Sequence, residues 1–448
     1  MPISVLWFRR DLRLGDNPAL VTALEAGGDG VVPLFVLDPR LWDAAPPPRR
    51  AYLAGSLRDL SRRLGATGLH VVAGDPAREV VGVARRVGAA SVHVAGDHTP
   101  YGRRRDTRVA DALGEHGVAL VRTGSPYAVA PGRVTRRDGG RYQVFTPYYA
   151  AWLEHGWRAP ARDPHDAVWV SPGPPTVEVP DAELPDGLAL PVPGEVAARR
   201  RWDEFVADGL DDYATERDLP GDDRTSRMSV HLRWGEIHPR TLLAGLGRGP
   251  GSEAYRRELA FREFYAEVLD QRPDSAWDPW VPAFASMAYD TPAGDLEAWK
   301  EGRTGIPVVD AGMRQLLAQG WMHNRVRMIV ASFLVKDLHL AWQHGARHFA
   351  EHLVDFDLAS NQHNWQWVAG CGTDAAPYFR VFNPVTQAKK FDRDGTYVRR
   401  WVPELADVST RWVHEPWLLP DPPASYPPPL VDHAEERREA LRRYEEIR

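Results

Sequence analysis

Two stretches of the 448-residue chain crowd chemically capable side chains into apolar surroundings, residues 320–328 (GWMHNRVRM) and residues 355–382 (DFDLASNQHNWQWVAGCGTDAAPYFRVF). Between them they set tryptophan, asparagine, arginine and acid side by side where the apolar content predicts burial. Buried polar groups need partners, and a set this dense points to a ligand that supplies some of them. The first stretch runs on as IVASFLVKDLHLAW, with Met322, Val326, Ile329, Val330, Phe333 and Leu334 at helical spacing. On that helix Asn324 and Met328 are one turn apart and share a face, with Arg327 beside it. Taken singly, each residue also fits a core helix with a satisfied arginine; the whole constellation does not.

Two further groups have spacing suited to chemistry. Thr225, Ser226, Arg227, Met228 and Ser229 place hydroxyls and a cation just before a helical stretch, which suits either an anion or an ordinary helix cap and turn. Glu258, Phe261, Arg262 and Tyr265 fall at i, i+3, i+4 and i+7, one face of a helix. The sixteen histidines lack ligand spacing with the single cysteine, Cys371, so no metal cluster is evident.

The elements that must position these residues divide the chain in two. Strands are predicted at residues 4–8, 31–37, 69–73, 91–95 and 118–122, with helical patterns between them, one opened by Asn17 as cap and Pro18 at the first helical position. That alternation predicts a doubly wound parallel, Rossmann-like sheet over residues 1–125. No GxGxxG follows the first strand, so this α/β domain is not where a dinucleotide is expected. Between residues 159 and 195, in the connecting segment 126–194, nine prolines (160, 164, 172, 174, 175, 180, 185, 191 and 193) read as an extended linker. From 195 to 448 helical periodicity dominates and predicts a large all-α domain closing on a polar helix at 433–448. One cysteine excludes an internal disulfide and suits a reducing cytosol. No amino-terminal apolar stretch resembles a signal peptide or membrane span, so a soluble, cytoplasmic, monomeric protein is expected. The formal charge of −6 means that nucleic-acid binding would need a local basic face, for which Arg224, Arg227, Arg262, Arg325, Lys389, Lys390 and Arg393 are candidates.

In order along the chain, VLWFRRDLRLGDNPA (5–19), TSRMS (225–229), ELAFREFY (258–265), EGRTGIPVVDAGMRQ (301–315), the two stretches above and NPVTQAKKF (383–391) resemble the DNA photolyase/cryptochrome family, most closely a class I cyclobutane pyrimidine dimer photolyase. The resemblance implies FAD, active in its reduced form, in the helical domain. Thr225–Ser229 and Tyr213 match FAD contacts, and Arg327 with Asp355 resembles the ion pair beside the isoalloxazine. Phe356 and Asp357 lie close by in the match, and Asn361 corresponds to the residue facing the redox nitrogen; its amide can serve two protonation states by rotating. Glu258 and Arg262 belong to both the cofactor and the substrate side. The Glu258, Phe261, Arg262 and Tyr265 face would line a pocket for a flipped-out dimer, with Asn324, Met328 and Trp367 opposite. Many relatives carry tryptophan where this chain has Phe261, which predicts a weakened stack. Arg217, Arg325 and Gln387 match DNA-touching positions.

The resemblance also implies an electron wire, with Trp365 inner, Trp342 middle and Tyr289 in place of the usual outer tryptophan, unless another tryptophan ends the chain. Residues 97–106 (DHTPYGRRRD) resemble a loop that holds an antenna chromophore, 8-hydroxy-5-deazaflavin rather than methenyltetrahydrofolate, through Arg50, Asp97, Tyr101 and Arg105. A structural loop capped by an Arg–Asp pair fits the same residues. The implied function is light-driven repair of UV-damaged DNA. A cryptochrome photoreceptor is disfavoured by the fit of Asn324, Met328 and Trp367 to dimer repair and by the lack of a tail after the helical domain. Repair of (6-4) photoproducts is disfavoured because no histidine pair stands at the corresponding place; His323, beside Asn324, reads as structural.

Overall fold

The computed structural model describes residues 2–163, 167–174, 176–374 and 380–447. Pro164 and Pro175 of the proline-rich segment, and residues 375–379 of the second polar stretch, lie outside the described residues. Five strands, β1 (Ser4–Phe8), β2 (Val31–Leu37), β3 (His70–Ala73), β4 (Ser91–Val94) and β5 (Ala119–Arg122), form one parallel sheet in the order β3-β2-β1-β4-β5. Every strand stands where the β-branched runs predict it. Three of the ends differ by one residue, since Leu69, Ala95 and Val118 lie just outside the paired ladder. All residues of β1 and β2 are buried, as central strands of a parallel sheet covered on both faces require.

The helices between strands start alike. Pro18–Ala26, Pro76–Arg86 and Pro100–Gly114 each begin on proline, whose fixed φ and missing N–H suit a first helical position, behind side-chain caps from Asn17, Asp75 and Thr99. The Asn17 side chain accepts from Leu20 N at 3.2 Å, as the sequence predicts. Because the strand order reverses between β1 and β4, the crevice beyond Phe8 and Val94 is the place where a sheet of this kind binds ligands.

The proline-rich segment is extended but tied down. Val31 N donates to Val168 O and Val170 N donates to Val31 O, both at 2.9 Å, while Val177 N donates to Val71 O at 2.8 Å. Its backbone therefore finds partners on β2 and β3, as backbone against a folded surface must.

The chain forms two compact units that do not divide at residue 195. One comprises Met1–Pro185, Pro191–Asp211 and Ser226–Pro273; the other comprises Asp186–Leu190, Asp212–Thr225 and Asp274–Arg448. The long helix Pro250–Gln271 belongs to the first unit for a chemical reason. Its buried Glu263 accepts from Ala128 N (2.5 Å), Val129 N (3.0 Å) and Trp152 Nε1 (2.7 Å), and Glu267 accepts from Gly132 N (2.7 Å). Carboxylates this deep are tolerable only when donors meet them. The second unit packs the helices Pro307–Gln319, Asn324–Lys336, Trp342–His352 and Leu358–Ala369 around Met313, Val326, Val330, Phe333, Phe349 and Trp365. Within it, Asp310 of the EGRTGIPVVDAGMRQ stretch accepts from Thr304 N and Oγ1 (2.7 Å each), Gly305 N (3.0 Å) and Tyr426 OH (2.5 Å), so that stretch is a buried turn lock. Among the described residues, no helix is long and apolar enough to cross a membrane.

Candidate functional site

Three helices of the second unit and one loop line a partly open cavity. Asn324, Arg327 and Met328 reach it from the Asn324–Lys336 helix, Phe349 from Trp342–His352, Asp355, Phe356 and Asp357 from the connecting loop, and Asn361 and Trp365 from Leu358–Ala369. Local caps fix the two helix starts that carry polar groups. His323 Nδ1 accepts from Arg325 N at 3.2 Å, and Asp357 accepts from Ser360 N at 3.1 Å. His323 is thus a cap, in keeping with its structural reading.

The charged pair in the cavity is incompletely satisfied. Arg327 Nη2 donates to Asp355 Oδ2 at 2.9 Å and its Nε donates to Met322 O at 2.8 Å. The other Asp355 oxygen is buried without a hydrogen-bond partner among the described residues, and so is Trp365 Nε1. An orphaned buried group costs about 1–3 kcal/mol, and here an acceptor and a donor both belong to residues lining one cavity. A polar heterocycle bearing N–H groups and carbonyls fits that pair of needs.

Asn361 is held more tightly than its sequence suggests. Its Nδ2 donates to Ala346 O (3.1 Å) and to Gln362 Oε1 (2.8 Å), while Gln362 Nε2 donates to Ala276 O (2.6 Å). Two backbone carbonyls therefore fix which way both amides point. The rotation expected of Asn361 would break these bonds, and what it offers the cavity is its carbonyl oxygen, an acceptor.

Trp365 stands edge-on to Phe349 at 5.0 Å and to Trp299 at 6.2 Å. A Cβ at Gly345 would lie 2.0 Å from the Trp365 ring, so only glycine lets the indole approach that helix. Trp342 is fully buried. Trp299, with Nε1 donating to Val330 O at 3.0 Å, was not singled out by sequence, where it reads as a core residue of its helix. Tyr289 lines a separate small cavity with His339 and Arg443, and burial raises its pKa above the ordinary tyrosine value. Trp367 is half-buried against the core, outside the lining of the large cavity.

The remaining predicted residues divide between the units. Thr225 and Tyr213 belong to the second unit, Ser226 to Ser229 to the first. The Ser226 hydroxyl bonds Tyr255 OH at 2.9 Å and accepts from Met228 N at 3.3 Å, and Arg227 adopts a left-handed φ of 54° before the Met228–Trp234 helix. The Ser226 hydroxyl is therefore spent on partners within the protein. In the first unit, Phe261 lies parallel to Phe145 with ring centroids 3.4 Å apart, so one of its faces is covered. Arg262 donates to Pro126 O at 2.9 Å and sits 4.7 Å over Tyr127, Tyr265 is buried, and Glu258 is half-buried. In the second unit, Arg325 pairs with Asp218 at 3.0 Å and stacks on Phe391 at 4.4 Å, Lys390 is exposed, Gln387 half-buried, and Arg217 lies 6.0 Å over Tyr213.

At the crevice beyond the sheet, Asp97, Tyr101 and Arg105 come together. Arg105 Nη2 bridges Asp97 (3.1 Å) and Asp106 (2.9 Å), stacks 5.2 Å over Trp7, and Tyr101 donates to Asp38. Burial alone would raise the Asp97 pKa, but Arg105, Arg10 and Arg9 together hold it well below the ordinary carboxylate value. Arg50 donates instead to Trp42 O (2.9 Å) and Asp43 O (2.8 Å).

Comparison with known proteins gives one consistent result. A family model for DNA photolyase matches residues 4–166, and one for the FAD binding domain of DNA photolyase matches residues 255–446. The chain is 44% identical over 451 residues to a deoxyribodipyrimidine photo-lyase of Streptomyces griseus, covering 98% of each. Among solved structures, a bacterial class III photolyase from Agrobacterium tumefaciens matches with a TM-score of 0.92 at 35% identity, covering 100% of this chain and 98% of its own. An archaeal photolyase from Sulfolobus tokodaii, solved with two FAD molecules, matches with a TM-score of 0.86 at 30% identity, covering 99% of each.

Proposed function

The chain belongs to the DNA photolyase family, and we propose that it splits cyclobutane pyrimidine dimers in DNA under light. The observation that carries this reading is the cavity of the second unit, which lies within the segment matched as an FAD binding domain and leaves an acceptor on Asp355 and a donor on Trp365 unmet. Bound there, reduced FAD supplies light-driven one-electron donation to the dimer and recovery of that electron afterwards.

The chain's own residues supply position and electrostatics. Asp355 accepts an N–H or hydroxyl of the cofactor with its free oxygen, while Arg327, held by Asp355 and by Met322 O, keeps a positive charge at the cavity wall. Asn361 presents an acceptor, which favours a protonated ring nitrogen over a bare one. Thr225, of the same unit, would offer a hydroxyl to the phosphates. Asn324 and Met328 share the cavity wall with Arg327, and in this reading they meet the dimer, the exposed Asn324 amide serving pyrimidine carbonyls and imides. Trp365 and Trp342 would pass electrons inward to a flavin held in the cavity, with Tyr289 as the outer member. Asp97, Tyr101 and Arg105 form the antenna crevice; the Sulfolobus tokodaii protein, with its second FAD, widens the choice of chromophore from deazaflavin to another flavin. The match to a class III protein likewise leaves class I as one of two subclasses this chain can join.

The test is illumination of reduced, FAD-loaded protein with an oligonucleotide containing one thymine dimer, followed by product chromatography. Light-dependent recovery of intact thymines is expected. No recovery from protein whose flavin is spectroscopically reduced would overturn the proposal.

A further inference from the structure

The carboxyl-terminal half of the Trp342–His352 helix carries His348, Glu351 and His352 at i, i+3 and i+4, one face of the helix. One donor atom from each of the three lies within 4.8 Å of the other two. His348 Nδ1 is 4.0 Å from Glu351 Oε2, and the two imidazole centroids are 4.5 Å apart. His348 is only 4% exposed, and its Nε2 is buried with no hydrogen-bond partner among the described residues. The Trp299 ring lies roughly perpendicular to the His348 ring with centroids 5.5 Å apart, and its one polar atom, Nε1, is a donor spent on Val330 O.

We propose that His348, His352 and Glu351 bind a divalent transition-metal cation of the zinc type. Two imidazoles and a carboxylate are borderline-to-hard donors that suit zinc and its neighbours, and three protein ligands leave open positions for water. The geometry is close to ready. Donors on a tetrahedral ion at bond lengths of about 2.0–2.1 Å stand about 3.3 Å apart, so the His348–Glu351 separation must close by less than an ångström. The exposed Glu351 can make that movement by rotamer change, since its side chain is 55% exposed.

An alternative use of these histidines, stabilising the dipole at the helix carboxyl end, requires a protonated ring exposed enough to carry charge, whereas His348 is buried. Lys300, a positive charge near the trio, is itself paired with Glu297 at 2.8 Å. The sequence reading passed over the trio because it sought histidines partnered by cysteine. The site is separate from the flavin-cavity lining, although the same helix contributes Phe349 to that cavity.

The experiment is a Zn²⁺ titration of the flavin-loaded full-length protein against a chromophoric chelator, repeated with Co²⁺ to read its visible absorption band. One equivalent of Zn²⁺ bound at micromolar affinity or tighter is expected. His352→Gln should weaken that binding at least tenfold and abolish the Co²⁺ band, and Glu351→Gln should weaken it several-fold. Both positions are less buried than His348, and circular dichroism would verify that each variant is folded. Binding of the same stoichiometry and affinity in His352→Gln, or no stoichiometric Zn²⁺ binding in the parent protein, would overturn the assignment.

Discussion

Asn361→Asp tests whether the amide is locked as the structure shows. The change is nearly isosteric, but it replaces a group donating two hydrogen bonds with one that donates at most one. The new oxygen would face Ala346 O and Gln362 Oε1, now 3.1 and 2.8 Å from Nδ2. Gln362 cannot turn its amide to help without giving up its own bond to Ala276 O. The carboxyl must therefore hold a proton, and one proton can meet only one of the two acceptors. The orphaned acceptor costs about 1–3 kcal/mol. Keeping an aspartate neutral at pH 7 adds up to roughly 4 kcal/mol, from about three pH units at 1.36 kcal/mol each. Relaxation and water entry reduce the sum, so a loss of about 3–5 kcal/mol at pH 7 is expected. The sign of the pH dependence follows. The introduced carboxyl has a raised pKa in the folded state, so the folded protein binds the extra proton and the deficit shrinks as pH falls toward about 4. Urea unfolding of the flavin-free protein at pH 5 and pH 7, each against the parent at the same pH, measures it. A deficit below 1 kcal/mol at pH 7, or one that does not change with pH, would refute the locked amide.

Asp355→Asn should reduce FAD affinity tenfold or more, since a hydrogen bond to a charged acceptor is worth about 1.5–3 kcal/mol; equal flavin retention after ultrafiltration would count against Asp355 as a cofactor ligand. Lys336 is 3% exposed and burial lowers its pKa to about 7, so at this position the unfolded chain binds more protons above that pH and the lysine's contribution to stability should rise between pH 7 and 10. Lys336→Met should add about 3 kcal/mol at pH 7 and flatten that rise, and chemical denaturation showing the same slope in both proteins would discount the buried lysine. Tyr289→Phe should slow photoreduction of oxidised flavin while leaving repair by chemically reduced protein intact; an unchanged flash-induced radical yield would place the outer donor elsewhere.

The sheet was legible because β-branched runs bounded by turn residues leave one register in which both faces are buried, and Asn17–Pro18 marks a helix start that needs no tertiary context. The helices around the cavity were legible for the same kind of reason, since Met322, Val326, Ile329 and Phe333 keep a 3.6-residue period. What the sequence could not carry is information held by partners far along the chain. Glu263 and Glu267 look like surface acids of a long helix, yet their donors at Ala128, Val129, Gly132 and Trp152 draw that helix into the first unit and move the division of the chain away from residue 195. The side chain of Asn361 is set by Gln362, and Gln362 by a backbone carbonyl at Ala276, 86 residues away. Trp299 reaches the cavity tryptophan only because Gly345 lets Trp365 lie against its helix. In each case composition names the chemistry a residue can perform, while its orientation and protonation are fixed by groups whose sequence separation hides them. The residues with the most freedom on paper, an amide that can rotate and acids that can ionise, are therefore the ones the fold constrains most.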